Sequence, residues 1–220
     1  MYGVNNSPWC GTSTTQEGEM KRQIRAGHRA VRGYFPSIKN NRQVAFESTF
    51  ERDLFYLLEL SQNVISYEEQ PLKVEIVWGE STWKYTPDVL VTMTNRDIPT
   101  IYEVKPSTSD FPENKKKAMD RWCSNNNFTF EVIDASKIRT PELTRAKFLY
   151  PYLRSEPSQH IIDVICKHIS QVGKVAIGDV LKSLQCDLSD IYFLIATDLL
   201  KCSVGIPSNR IMSMEVSGVK

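Results

Sequence analysis

The pattern of apolar and polar residues predicts an amphipathic helix over residues 47–60. Ser48 or Thr49 can cap its start, because a side-chain oxygen there can accept a hydrogen bond from a free backbone N–H group. The apolar residues that recur at helical spacing are Phe50, Leu54, Leu57 and Leu58. The first twenty residues are polar and rich in Ser, Thr, Asn and Gly, which predicts a loosely ordered terminus.

Short runs of β-forming residues follow the helix and are separated by turn residues. They predict a meander of three or four antiparallel strands over 64–67, 72–77, 83–93 and 100–105. A second helix is predicted at 113–124 and a further strand at 128–133. The predicted core order is therefore helix, antiparallel strands, helix, strand.

Three prolines within seventeen residues, Pro141, Pro151 and Pro157, mark the expected domain boundary. We therefore expect one domain over 1–150 and a second over 151–220. The second domain reads as three helices and a terminal hairpin, with the helices at 159–169, 175–184 and 189–200 and the hairpin strands at 201–206 and 210–216. This plan is that of a winged helix, a variant of the helix-turn-helix.

The composition is that of an ordinary soluble globular protein, with 41% hydrophobic and 24% charged residues in a chain of 220. It excludes a collagen, a disordered chain and a disulfide miniprotein. No apolar run approaches the roughly 20 residues that span a bilayer. Because the sequence also lacks a secretory signal, we expect a cytoplasmic protein without a membrane partner. The five scattered cysteines form no CxxC pair and are expected to be reduced.

The net charge of +1 hides an uneven distribution along the chain. Residues 20–42 hold seven basic residues and no acidic one, whereas residues 43–153 hold 13 basic and 17 acidic residues. Such a basic segment is typical of a contact with a polyanion such as DNA, and it is equally typical of a solvated lead-in. The candidate DNA-binding residues are Lys21, Arg22, Arg25, Arg29, Arg32 and Lys39.

The motif that indicates chemistry has the form PD, fourteen residues, then ExK. Asp88 follows Pro87 at a strand start, and Glu103 and Lys105 lie on the next predicted strand. Residues i and i+2 of a strand share a face, so Glu103 and Lys105 should point the same way while Val104 points into the core. An antiparallel neighbouring strand would bring Asp88 beside Glu103.

Two carboxylates that converge at one sheet edge repel each other unless a divalent cation lies between them, and oxygen ligands suit Mg²⁺ or Mn²⁺. Such a cation activates water and neutralises charge on a phosphodiester, while Lys105 can steady the attacking hydroxide. A third carboxylate comes from Glu51 or from its competitor Glu47, which helical spacing would place on the same face. Each residue also has a structural interpretation, as a turn cap, a strand charge pair or the polar side of a helix.

Several blocks together resemble the TnsA family, the endonuclease subunit of heteromeric cut-and-paste transposases. They span roughly residues 32–133 and comprise GYFPSIK at 33–39, FESTFERD at 46–53, YEEQP at 67–71, YTPD at 85–88 and YEVKP at 102–106. The resemblance, with the order of elements, implies a restriction-endonuclease-like α/β catalytic domain followed by the winged-helix-like domain.

By position, the resemblance implies that Glu51, Asp88, Glu103 and Lys105 are catalytic. It implies Mg²⁺, or Mn²⁺, bound by Asp88, Glu103, Glu51 and the backbone carbonyl of Val104. It further implies cleavage at the 5′ ends of a transposon in double-stranded DNA, in a complex with a TnsB-type DDE transposase and a TnsC-type AAA+ regulator, on the nucleoid of a bacterium.

The charges of the C-terminal module argue against DNA binding by this module. Its expected recognition helix carries Asp190 and Asp198, follows Asp187 and has no basic residue before Lys201, so we expect this domain to bind protein. The aromatic residues beside the motif, Trp83 and Tyr85, are expected to be packing residues. Two other functions remain open: a free-standing restriction or repair nuclease, and a catalytically silent architectural subunit.

Overall fold

The computed structural model describes residues 31–78, 81–202, 205, 207 and 211–218. These residues form a mixed α/β structure with several small sheets. Within these ranges, every helix is too short or too polar to cross a membrane.

The described part opens with a β-hairpin that the sequence did not predict. Strands β1 (Gly33–Ser37) and β2 (Arg42–Phe46) pair antiparallel, and Phe35 and Val44 turn from the hairpin into the core. The hairpin turns at Asn41, whose φ of 48° lies in the left-handed region that asparagine tolerates. Part of the basic segment is therefore ordered sheet and not a helical lead-in.

Helix α1 (Thr49–Leu60) confirms the first predicted helix, and its apolar face buries Leu54, Phe55 and Leu58. Ser48 is the N-cap, because its hydroxyl accepts a hydrogen bond from the Glu51 N–H at 3.1 Å. Glu47 precedes the cap and lies outside the helix, so the expectation that Glu47 and Glu51 share a helical face is wrong.

The central sheet has four strands in the order β3-β6-β7-β8, with β7 and β8 parallel and the other pairs antiparallel. The strands of this region are β3 (Val64–Glu69), β4 (Val74–Trp78), β5 (Ser81–Tyr85), β6 (Val89–Met93), β7 (Thr100–Lys105) and β8 (Thr129–Asp134). Helix α1 packs on the face that carries Tyr102 and Val104. Helix α2 (Glu113–Asn125) covers the opposite face around Ile101 and Phe130.

The strands do not form the simple meander that the sequence predicted. Strands β4 and β5 pair with each other as a separate hairpin, so that β3 pairs with β6. The expected continuous strand over 83–93 divides at residues 86–88. Proline has no N–H group for a strand ladder, so Pro87 accounts for this break.

After β8 the chain forms two short helices, α3 (Ala135–Ile138) and α4 (Pro141–Leu149), and a 3₁₀ turn at Tyr150–Arg154. Both helices contact α1. The buried carboxylate of Asp53 on α1 is paired there with Lys147 of α4, whose Nζ lies 2.7 Å from Asp53 Oδ1.

The C-terminal elements confirm three predicted helices and the pairing of the last two strands. A short strand that the sequence did not predict, β9, completes a small antiparallel sheet of order β10-β11-β9. The elements are α5 (Gln159–Val172), β9 (Lys174–Ala176), α6 (Ile177–Ser183), α7 (Leu188–Ala196), β10 (Leu200–Cys202) and β11 (Glu215–Gly218).

The C-terminal elements share a core with the preceding part of the chain. Leu149 of α4 is fully buried within their apolar cluster, and Leu60 of α1 and Leu153 pack against it. Polar contacts reinforce this junction, since Gln62 donates to the Ala196 carbonyl and Arg145 to the Ile195 carbonyl. The C-terminal elements are thus fixed to the end of α1 that lies opposite Glu51.

Candidate active site

Asp88 and Glu103 meet at the end of the central sheet, as the sequence predicted. The antiparallel pairing of β6 with β7 sets Val89 opposite Tyr102, which places Asp88 next to Glu103. Asp88 Oδ2 accepts a hydrogen bond from the Val104 N–H at 2.7 Å. The backbone of Asp88 is held as well, because its carbonyl accepts from the Gln70 N–H at 2.9 Å.

The predicted common face of Glu103 and Lys105 is also present. Lys105 Nζ lies 2.5 Å from Glu103 Oε1, while Val104 is buried in the core against α1. Glu103 is only 3% exposed, whereas the side chain of Lys105 is 30% exposed. The carboxylate is therefore enclosed and the ammonium group can reach solvent.

Tyr85 is a site residue that the sequence analysis assigned to packing alone. Its hydroxyl donates a hydrogen bond to Glu103 Oε2. Burial, followed by the negative charge of Glu103, raises the pKa of Tyr85, so the hydroxyl stays a proton donor. The sequence carried a weak signal for this contact, since Tyr85 lies three residues before Asp88, near the start of the predicted strand 83–93.

Glu51 lies at the start of α1 and is held by its own helix terminus. Its Oε2 accepts from the Glu47 N–H at 2.9 Å, and its Oε1 accepts from the Ser48 hydroxyl at 2.7 Å. Burial raises the pKa of Glu51 despite these hydrogen bonds, and the charges of Glu47 and Glu103 raise it further. The charge of Glu103 thus acts on Glu51, although both carboxylate oxygens of Glu51 accept hydrogen bonds at the start of its own helix.

Glu47, the competitor of Glu51, faces a different neighbour. Its Oε2 lies 4.0 Å from Arg32 Nη2 at the partly exposed edge of the β1–β2 hairpin. The charge of Glu51 is among the main causes that raise the pKa of Asp88. Of the two candidates, Glu51 is therefore the one with a resolved electrostatic effect on Asp88.

The site places three carboxyl groups around one lysine, so it holds more negative than positive charge when all of them are ionised. Burial raises the pKa of Asp88 to about 8, and the charges of Glu103 and Glu51 add to this rise, while Lys105 opposes it. Burial opposes the charge on Lys105, but its hydrogen bond to Glu103 and the surrounding carboxylates outweigh burial and raise the pKa of Lys105. Lys105 is therefore a stable cation, and a single such charge does not neutralise three carboxylates.

Asp88 and Glu103 fit a hard divalent cation by their donor chemistry, because both present carboxylate oxygens and mutual repulsion destabilises them without a cation. Val104 fits as well: its N–H faces Asp88, and the N–H and C=O groups of one strand residue point to the same side. Glu51 does not lie close enough to Asp88 and Glu103 to share an ion with them. Within the described ranges, no three acidic, histidine or cysteine side chains form a group that could hold one metal ion.

The structure describes only two of the six predicted DNA-binding residues, Arg32 and Lys39. Lys21, Arg22, Arg25 and Arg29 lie outside the described residues. Of the others, Lys39 donates to the backbone carbonyls of Ser61 and Val64, at 2.8 Å and 2.5 Å, and burial lowers its pKa. Lys39 therefore has a structural role at the end of α1, and the roles of Lys39 and Arg32 in DNA binding stay predictions.

A mixed α/β fold with acidic residues and a lysine at one strand end is the arrangement that the sequence analysis expects of a nuclease. Residues 61–135 match the family model described as TnsA-like endonuclease N terminal. The matched segment, 75 of the 220 residues, is similar to a TnsA-like endonuclease domain, which agrees with the sequence resemblance and supports a nuclease role in transposition. The match contains Asp88, Glu103 and Lys105 and begins after Glu51. No curated protein matches the chain.

Proposed function

We propose that this protein is a Mg²⁺-dependent DNA endonuclease, able to use Mn²⁺, that hydrolyses phosphodiesters at the 5′ ends of a transposon during excision. The observation that carries the proposal is the meeting of Asp88, Glu103 and Lys105 at one sheet edge, inside the segment that matches the TnsA-like endonuclease model. The surplus of carboxylates there is the charge pattern that a divalent cation would balance.

Asp88, Glu103 and the carbonyl of Val104 would hold the ion, and Glu51 would add a third carboxylate after leaving its helix cap. The effect of the Glu51 charge on the pKa of Asp88, together with the ion pair of Glu47 with Arg32, supports Glu51 over Glu47 in this role. When bound, the ion supplies an activated water and a positive charge for the phosphate oxygens. Burial of Glu103 keeps bulk water away from its carboxylate.

Lys105 would act as a fixed positive charge and hydrogen-bond donor. Its raised pKa keeps the ammonium group protonated, so it is unsuited to act as a general base near neutral pH. Its partial exposure gives it access to a phosphodiester that approaches the sheet edge. The ammonium would orient the attacking oxygen and stabilise negative charge as the bond to phosphorus breaks.

The proposed architecture is a restriction-endonuclease-like catalytic domain over 1–150 and a winged-helix-like domain over 151–220. The order α1, central sheet, α2 and β8 supports the first assignment. The order of three helices with the small sheet of β9, β10 and β11 supports the second.

The proposed partners are transposon-end DNA, a TnsB-type DDE transposase and a TnsC-type AAA+ regulator, in the bacterial cytoplasm. Acidic residues at the start of α7 favour protein over DNA for the C-terminal module. Asp187 and Asp190 lie there, and the Asp190 side chain accepts from the Asp187 N–H at 2.8 Å. Each acidic residue near a phosphate backbone would weaken binding by repulsion.

The test is cleavage of the 5′ strand of transposon-end DNA with Mg²⁺, by wild type and Asp88→Ala, with and without the cognate TnsB-type and TnsC-type proteins. We expect cleavage that needs both Asp88 and the partners. Cleavage of unrelated linear DNA by the chain alone would replace the proposal with a free-standing nuclease. No cleavage in any mixture would favour an architectural subunit.

A further inference from the structure

We propose that Tyr85 is a positioning residue that holds the Glu103 carboxylate in place when Lys105 turns to the substrate. The proposal rests on the proposed nuclease function and assigns a role to a residue outside the PD and ExK motif. It starts from the two oxygens of Glu103, which have different donors: Lys105 at Oε1 and the Tyr85 hydroxyl at Oε2.

A buried carboxylate needs donors from the protein, because burial without a hydrogen bond is costly. Glu103 is 3% exposed, so water cannot replace a donor that moves away. Lys105 lies 2.5 Å from Glu103 in this structure, and a rotation of its ammonium group toward a phosphodiester would take this donor away from Glu103. A second, permanent donor therefore allows Lys105 to move while Glu103 keeps its orientation.

The surroundings of Tyr85 give it the rigidity that this role requires. Its ring stacks on Trp83, with the centroids 4.7 Å apart, and packs against Phe111 at 6.0 Å. Lys115 of α2 lies over the Trp83 ring, with its Nζ 4.4 Å from the centroid. The aromatic layer between β5 and α2 fixes the direction in which the hydroxyl points.

The chain path also couples Tyr85 to the other carboxylate of the site. Two residues, Thr86 and the buried Pro87, connect Tyr85 to Asp88. Proline restricts the backbone there. This short segment thus places both the Asp88 side chain and the Tyr85 hydroxyl next to the Glu103 carboxylate.

The structure offers a matched control in Tyr67. Its hydroxyl donates to a second buried carboxylate, Glu59, at 2.7 Å, and its ring stacks on Phe55 at 5.2 Å. Tyr67→Phe and Tyr85→Phe therefore each remove one tyrosine–glutamate hydrogen bond and keep an aromatic ring in place. The two variants differ in whether the glutamate belongs to the proposed active site.

The experiment measures Mn²⁺ binding to the full chain by isothermal titration calorimetry, for wild type, Tyr85→Phe, Tyr67→Phe and Asp88→Asn. We expect Tyr85→Phe to weaken Mn²⁺ binding about 10-fold or more, as is typical when the hydrogen-bond partner of a metal ligand is lost. Tyr67→Phe should bind Mn²⁺ as wild type does. In DNA cleavage, Tyr85→Phe should lower kcat and leave KM for DNA unchanged.

Wild-type Mn²⁺ affinity in Tyr85→Phe, or equal weakening in Tyr67→Phe, overturns the role of Tyr85 while the loss of binding in Asp88→Asn leaves the proposed function standing. If wild type binds no Mn²⁺, or Asp88→Asn binds it equally well, the metal-dependent function fails and the role of Tyr85 with it. Lys105→Met gives a second test: Tyr85 still holds Glu103 there, so Mn²⁺ should bind at least as tightly as in wild type, and weaker binding overturns the proposal.

Discussion

Two buried acidic centres contact helix α1, and their charge balance differs. At the Asp53 cluster, one carboxylate that is 3% exposed meets three cations: Lys147 at 2.7 Å, Arg52 at 3.1 Å and Arg139 at 3.7 Å. At the Asp88 site, the carboxylates of Asp88, Glu103 and Glu51 lie around one ammonium group, that of Lys105. Each centre contains a buried carboxylate, that of Asp53 in the first and that of Glu103 in the second.

The comparison shows that burial of a carboxylate does not by itself mark function. The Asp53 cluster is neutralised by protein cations and joins α1 to α3 and α4, so it serves stability. The Asp88 site has a surplus of negative charge once its carboxyl groups are ionised, and this charge costs stability unless a proton or a metal cation binds. The predictions below test this contrast, from the largest expected effect to the smallest.

Removing the charge of Asp53 should have the largest effect on stability. Asp53→Asn leaves the ammonium group of Lys147 and two guanidinium groups without their buried partner, and we expect a loss of about 2–4 kcal/mol in the free energy of unfolding. Urea unfolding at neutral pH measures this loss. The matched control is Glu75→Gln, which breaks the exposed pair with Lys84 and should cost less than about 0.5 kcal/mol. Equal unfolding midpoints for Asp53→Asn and wild type would contradict a structural role for this cluster.

The charge of Asp88 should have the opposite effect on stability. Its pKa in the folded state is raised, so the folded protein binds the proton more tightly than the unfolded chain does. That contribution is present at acidic pH and is lost as pH rises through about 8. Without metal, the free energy of unfolding of wild type should therefore fall between about pH 6.5 and pH 9 by on the order of 2 kcal/mol relative to Asp88→Asn.

Urea unfolding in the presence of EDTA, at several pH values in this window, checks the sign of this difference. Asp88→Asn should be the more stable protein at the alkaline end, because an amide carries no charge that must be buried beside Glu103. The same pH dependence in both proteins would mean that Asp88 is already neutralised by the fold.

The smallest effect should come from the cap of α1. Ser48→Ala removes the hydroxyl that accepts from the Glu51 N–H and donates to its carboxylate, and should cost about 1 kcal/mol of stability. Ser158→Ala removes the corresponding cap of α5 and is the matched control. If Glu51 contributes to the site, only Ser48→Ala should change the rate of DNA cleavage, whereas equal rates in the two variants would leave Glu51 as a helix cap.

Local signals predicted much of the fold. The apolar spacing of α1 and the capping residues at its start, Ser48 or Thr49, are properties of neighbouring residues, and the structure confirms the helix with Ser48 as its cap. The β1–β2 hairpin was missed because its stability comes from contacts far along the chain. Glu59 of α1, for example, accepts hydrogen bonds from the Ser37 hydroxyl at 2.6 Å and the Ile38 N–H at 3.2 Å. The separation of β4 and β5 from the central sheet likewise depends on packing against α2.

The candidate site shows the same division between local and distant information. The meeting of Asp88 and Glu103 followed from strand pairing, and the shared face of Glu103 and Lys105 followed from strand geometry. The contact of Tyr85 with Glu103 depends on how the β4–β5 hairpin folds over the sheet. The spacing of apolar residues along the chain does not predict this arrangement. The position of Glu51 within its own helix cap also required three-dimensional coordinates.

The most direct test of the central claim is to locate a bound cation. A crystal of the full chain soaked in MnCl₂ would give anomalous scattering from Mn²⁺ at its absorption edge. The account predicts a peak about 2.1 Å from carboxylate oxygens of Asp88 and Glu103, as expected for a small hard cation, and no peak at Asp53. A peak elsewhere with none between Asp88 and Glu103 would contradict the claim that the surplus charge of this site serves to bind a metal ion.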